Sequence, residues 1–169
     1  MQETQALPTR SRPRPPVTRG MPHTQIGVQP HPDLNRELFR RAFALPDVRN
    51  EPTRISVPGA RALWLDERLP LAHGELILVG REFAHIHPDG SLHVTLDPRR
   101  AQEAIEKGWA EPHPIAAHIG VDGMVLLYTP LDETELDVIF GLVVDSYNFI
   151  TGRSLQPADI LMSLQAEQP

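Results

Sequence analysis

REFAHIHPDGSLHVTLDP, residues 81–98, decides the fold of this chain. Pro88-Asp89-Gly90 reads as a turn, because proline pre-sets its backbone angle and glycine takes the left-handed position that closes a three-residue loop. The arms are then Glu82–His87 and Ser91–Leu96. His87 falls opposite Ser91, Ile86 opposite Leu92, His85 opposite His93 and Ala84 opposite Val94. Side chains alternate along a strand, so this register sorts the hairpin into two faces. One face collects Ala84, Ile86, Leu92, Val94 and Leu96, an apolar set that demands a core. The other collects Phe83, His85, His87, Ser91, His93 and Thr95. A two-residue loop at Asp89-Gly90 mixes the two sets, and the clean separation favours the odd loop. Three histidines therefore share one sheet face, with His85 and His93 as cross-strand neighbours about 5 Å apart at the α-carbons.

Working outward, the chain has 169 residues, which suits one domain with a real core and is too short for two comfortable ones. Its apolar and charged fractions, 40% and 22%, are ordinary for a soluble globular protein. A net charge of −6 argues against nucleic acid as a partner. No cysteine is present, which excludes disulfides, thiolate metal sites and a cysteine nucleophile. No apolar run reaches the length of a membrane span and no secretory signal opens the chain. The expectation is a cytoplasmic protein with a small-molecule substrate, no membrane, and no indication of oligomeric state.

Residues 1–30 carry six prolines and Arg10, Arg12, Arg14 and Arg19 with almost no large apolar side chains. Composition predicts a disordered, solvated tail there. Asp33–Leu45 reads as a helix capped by Asp33, with a broad apolar stripe. Val48–Asp66 reads as short strands broken at Pro52 and Pro58-Gly59, Arg61–Leu65 being the clearest. Leu76–Val79 is a buried run of undetermined type. Asp97-Pro98 opens a helix that Gly108 stops. Residues 110–119 read as a loop and Met124–Tyr128 as an interior strand. Asp132, with Glu135 three residues on, caps a long helix running to Thr151 and Gly152. The domain then occupies residues 31–155, and residues 156–169 form an extension with a short helix. Strands bunched in the middle and joined by hairpins predict an α+β fold: a mostly antiparallel sheet with helices on the face of Ile86 and Val94.

The hairpin, the later GWAEPHP loop over residues 108–114, and the MVLLYTP strand before a long ELDVIFGLVVDSYNFITG helix together resemble the luciferase-domain family. That family joins the fungal bioluminescence luciferases to many proteins of unassigned activity, and the resemblance covers roughly residues 33–152. It implies oxygenase-type chemistry: addition of dioxygen to a hydroxylated pyrone without a bound organic cofactor. Carried over residue by residue, it marks His85, His87, Asp89, Gly90, His93 and His113.

Two chemistries fit the histidine face. His85, His87 and His93 form a possible metal set for zinc, iron or manganese, with an open position for water, substrate or dioxygen. No carboxylate lies on that face. Alternatively, the histidines act without metal as acid and base on an enol or phenol, Phe83 supplying an apolar wall. In that reading His113 is the fourth member and Glu111 orients it. His23, His31 and His118 are left out of the site, and His73 reads as a loop residue. Against both stands a non-catalytic module whose histidines bind a metal or ligand, or merely bond to Ser91, Thr95 and nearby carbonyls.

Overall fold

The hairpin sits inside a six-stranded antiparallel sheet. The computed structural model describes residues 5–167. The strands are β1 (Val48–Pro52), β2 (Arg61–Leu65), β3 (Glu82–Ile86), β4 (Leu92–Thr95), β5 (Ala110–Pro112) and β6 (Met124–Leu127). Their order across the sheet is β1-β2-β3-β4-β6-β5, all neighbours antiparallel. The β3–β4 register is the one the turn dictates: Ala84 faces Val94, His85 faces His93 and Ile86 faces Leu92. The His87 amide donates to the Ser91 carbonyl at 2.8 Å and the Gly90 amide to the His87 carbonyl at 2.9 Å. Gly90 has φ +84°, the left-handed region that the turn requires and glycine adopts without strain, and a Cβ there would press on the Asn35 side chain.

The helices are α1 (Pro32–Ala42), α2 (Pro98–Glu106), α3 (Ala116–Ile119), α4 (Glu133–Thr151) and α5 (Pro157–Ala166). Asp97 caps α2 by accepting from the Arg99 amide, and Asp132 caps α4 by accepting from the Glu135 amide. Leu136, Ile139, Phe140, Val143 and Tyr147 of α4 are buried in one core with Ala84, Ile86, Leu92 and Val94. Ser146 Oγ donates to the Thr95 carbonyl at 2.7 Å and fastens α4 to β4. With α1 and α5 packed beside α4, the apolar face of the sheet is covered and the α+β architecture is complete. Among the described residues no helix is long and apolar enough to cross a membrane.

Several local expectations are corrected. The α1 cap is His31 followed by Pro32, without a side-chain bond, rather than Asp33. Leu76–Val79 is not buried: a 3-10 turn (Gly74–Leu76) leads into irregular chain, and Leu78 is exposed. The loop at residues 110–119 contains β5 and α3. On β3 the register slips: Leu63 pairs with Ala84 but Trp64 with Glu82, so Phe83 is an extra, bulged residue. A bulge reverses the alternation before it. Phe83 therefore packs against Tyr147 of α4, ring centres 6.0 Å apart, and Glu82 takes its place on the histidine side.

The largest correction concerns the proline- and arginine-rich start. Residues 1–4 lie outside the described residues; from residue 5 the segment is laid against the domain. The Arg10 amide donates to the Lys107 carbonyl at 2.9 Å and Trp109 Nε1 to the Pro8 carbonyl at 2.6 Å. Arg10 is buried against Glu135 at 3.1 Å, Arg12 reaches Asp132 at 2.7 Å, and Arg14 donates to the carbonyls of Ile105 and Ala110. Carbonyls at the end of α2 and the start of β5, and the acidic start of α4, supply the partners. Composition alone, which counts apolar surface, does not register that means of ordering a segment.

Candidate histidine centre

Five histidine rings meet on the sheet face opposite α4. His85 from β3 and His93 from β4 are cross-strand neighbours, and His87 follows at the end of β3. His113 comes from the loop after β5, and His23 from the N-terminal segment. All are buried, with relative exposures of 6%, 8%, 2%, 7% and 3% in that order of residues: His85, His93, His87, His113 and His23. Adjacent ring centres lie 4.7–5.3 Å apart. His31 and His118 are exposed and His73 pairs with Glu75 in its loop, as expected. His23 overturns its exclusion. It lies 70 residues from His93, and no periodic signal connects them.

The hydrogen bonds fix where the ring protons sit. Glu82 Oε1 lies 3.0 Å from His85 Nδ1 and, as an ionised carboxylate, only accepts. Neutral His85 therefore carries its proton on Nδ1, and its Nε2 accepts from His93 Nδ1 at 3.0 Å. His93 Nε2 in turn accepts from His23 Nδ1 at 3.2 Å. The result is one directed chain, Glu82–His85–His93–His23, ending at a basic His23 Nε2. Burial works against ionising Glu82, but hydrogen bonds from His85, the Arg54 amide and the Thr53 hydroxyl outweigh it and hold its pKa below the ordinary carboxylate range.

His87 is pinned separately. Its Nδ1 donates to Ser91 Oγ at 2.9 Å, and that hydroxyl donates to Asp89 Oδ1 at 2.6 Å. His87 Nε2 is then a bare lone pair, sealed from solvent and without a hydrogen-bond partner. Burial, then the neighbouring His85, push the His87 pKa down to about 4. His113 Nδ1 accepts from the Ile115 amide at 3.3 Å, which leaves the proton on Nε2, and burial brings its pKa to about 4 as well. Burial lowers the pKa of His93 and of His23, Glu111 opposing the shift at His23. Glu111 does not orient His113; it accepts a hydrogen bond from Tyr128.

Beside the cluster lies a cavity of about 620 Å³. Leu76, Ile77 and Leu78 wall it rather than plug the histidine face, and Ile55, Met21 and Met124 add to an apolar lining with no arginine or lysine. His23, His85, His93, His113 and Glu82 supply its polar side. Two triads, His85/His87/His93 and His23/His93/His113, bring ligand atoms within 4.8 Å of one another.

Residues 80–146 match the family model of the luciferase domain. That segment runs from the hairpin into α4 and contains four of the five clustered histidines. Over that segment the chain is similar to the luciferase-domain proteins. Its relatives include luciferases of Armillaria gallica (28% identical, over 93% of this chain and 65% of that protein), Armillaria mellea (30%, 86% and 61%) and Neonothopanus nambi (29%, 86% and 61%). The chain thus spans less than two thirds of the length of these luciferases. No solved structure matches it. The luciferase-domain segment holds His85, His87, His93 and His113, whereas His23 comes from outside it.

Proposed function

We propose that the chain is a small-molecule enzyme of oxygenase type, with a metal centre at His85, His87 and His93 facing an enol or phenol in the apolar cavity. The observation that carries this is the buried, unpartnered His87 Nε2. An unsatisfied buried acceptor costs about 1–3 kcal/mol, and an ion removes that cost. His85 Nε2 and His93 Nδ1 stand 3.0 Å apart. Two nitrogens on one tetrahedral ion, each about 2.0–2.1 Å from it, need only slightly more separation. Two of the three rings also have their Nδ1 protons held by carboxylates, His85 directly through Glu82 and His87 through Ser91 and Asp89. That is the support a metal-binding imidazole takes in general. His113, its Nδ1 occupied by the Ile115 amide, is a poorer ligand than His87. Zinc, iron and manganese all suit imidazole and weaker donors. Iron or manganese would supply oxygen chemistry, and dioxygen is the co-substrate the fungal relatives suggest.

A second reading rests on the directed chain. Without metal, Glu82–His85–His93–His23 ends in an acceptor able to deprotonate an enol, which then meets dioxygen directly. Elemental analysis of protein purified without chelator separates the two. Near-stoichiometric metal in the wild type, lost in His87→Leu, is the expected result. Metal in neither protein rejects the centre and leaves the relay.

A further inference from the structure

We propose that His23 and His113 form a hydrogen-bonding pair that holds an acidic hydroxyl of the substrate, in its anionic form when the hairpin triad carries an ion. This rests on the metal centre proposed above, and it extends the site to a residue outside the luciferase-domain segment. Both rings line the cavity, in edge contact with centres 5.3 Å apart. Both use Nδ1 for internal bonds, His23 to His93 and His113 to the Ile115 amide, and so leave Nε2 for a ligand.

The protonation of the pair follows from the relay. In the metal-free chain His23 donates through Nδ1, so its Nε2 accepts, while His113 Nε2 donates. An acceptor beside a donor suits a neutral hydroxyl. An ion on His93 Nδ1 displaces that proton, and neutral His93 then carries it on Nε2 and donates to His23 Nδ1. The His23 proton moves to its own Nε2. No proton is gained or lost across the two rings; both tautomers invert. His23 and His113 now present two N–H donors, which suit an oxygen anion. No arginine or lysine lines the cavity to hold that anion instead, so the substrate class is an uncharged, apolar molecule with one acidic hydroxyl rather than a carboxylate or phosphate.

The test uses the full chain, zinc as the only metal, and 4-nitrophenol as probe, since its anion absorbs separately from the neutral form. With one zinc bound, the bound probe should ionise at least about one pH unit lower than in zinc-free protein. His23→Phe and His113→Phe should each weaken anion binding roughly tenfold, the loss of one hydrogen bond to a charged group, with zinc content unchanged. If either replacement lowers the melting temperature markedly, His23→Leu and His113→Leu take its place. Zinc-loaded variants that bind the anion as wild type does overturn the pair and leave the metal centre standing. A wild type that takes up no zinc rejects the metal centre and the ionisation switch with it. The pair then stands only if the same replacements weaken binding of the neutral phenol to zinc-free protein.

Discussion

The two faces of the β3–β4 hairpin are buried alike and by opposite means. Ile86, Leu92 and Val94 lose water against α4, and each buried aliphatic side chain contributes about 1.5–3 kcal/mol. Across the same backbone, His85, His87 and His93 are buried almost as deeply, where every ring nitrogen has to be satisfied or counted as a loss. One face is built for stability. The other carries a standing cost at His87 Nε2 that only a ligand relieves.

The sharpest way to break that comparison is a matched pair of truncations. Leu92→Ala should destabilise the fold by about 2–5 kcal/mol in urea denaturation, as a cavity opens under α4. His87→Leu should change metal-free stability by no more than about 1 kcal/mol, because the unsatisfied acceptor it deletes at similar volume offsets the lost bond to Ser91. If His87→Leu costs as much as Leu92→Ala, the ring is structural and the contrast between the faces disappears.

Next in size is the support beneath His85. Glu82→Gln keeps an oxygen that accepts from His85 Nδ1 but removes the charge. Zinc affinity should fall about 10- to 100-fold, equivalent to about 1.4–2.7 kcal/mol. The melting temperature of the metal-free protein should move much less than in Leu92→Ala. Unchanged zinc affinity would show that Glu82 only fills space beside the ring.

The same contrast explains what the sequence reveals. Strand alternation and the Pro88-Asp89-Gly90 turn place His85, His87 and His93 together, since register follows from loop length and the apolar set. The caps at Asp97 and Asp132 are equally local signals. Glu82 is not legible, because the bulge at Phe83 arises from pairing with β2 and has no mark in the hairpin itself. His23 is not legible either. The segment that delivers it is ordered by arginine contacts to Glu135, Asp132 and the carbonyls of Ile105 and Ala110, and by Gln25 bonding both ways to Thr129. Those partners are 91–125 residues away, beyond any periodic reading.

A third test separates the faces by pH. In metal-free protein the buried His87 takes up its proton only near pH 4, whereas the unfolded chain does so near the ordinary value of 6.5. Between those values the unfolded state binds more protons, so stability falls as the pH falls, by up to about 1.4 kcal/mol per pH unit for this one ring. His113, also near 4, acts in the same direction. Glu82 behaves differently: its depressed carboxylate stabilises the fold above the ordinary carboxylate range, and that contribution is lost only at lower pH, as the group finally protonates. Denaturation of wild type, Leu92→Ala and His87→Leu from pH 7 to pH 4.5 reads this directly. Leu92→Ala should run parallel to wild type, offset by its cavity. His87→Leu should be less steep, since one of the titrating rings is gone. Equal slopes for wild type and His87→Leu would mean that the ring charges freely in the folded protein, and that the histidine face is wet rather than buried.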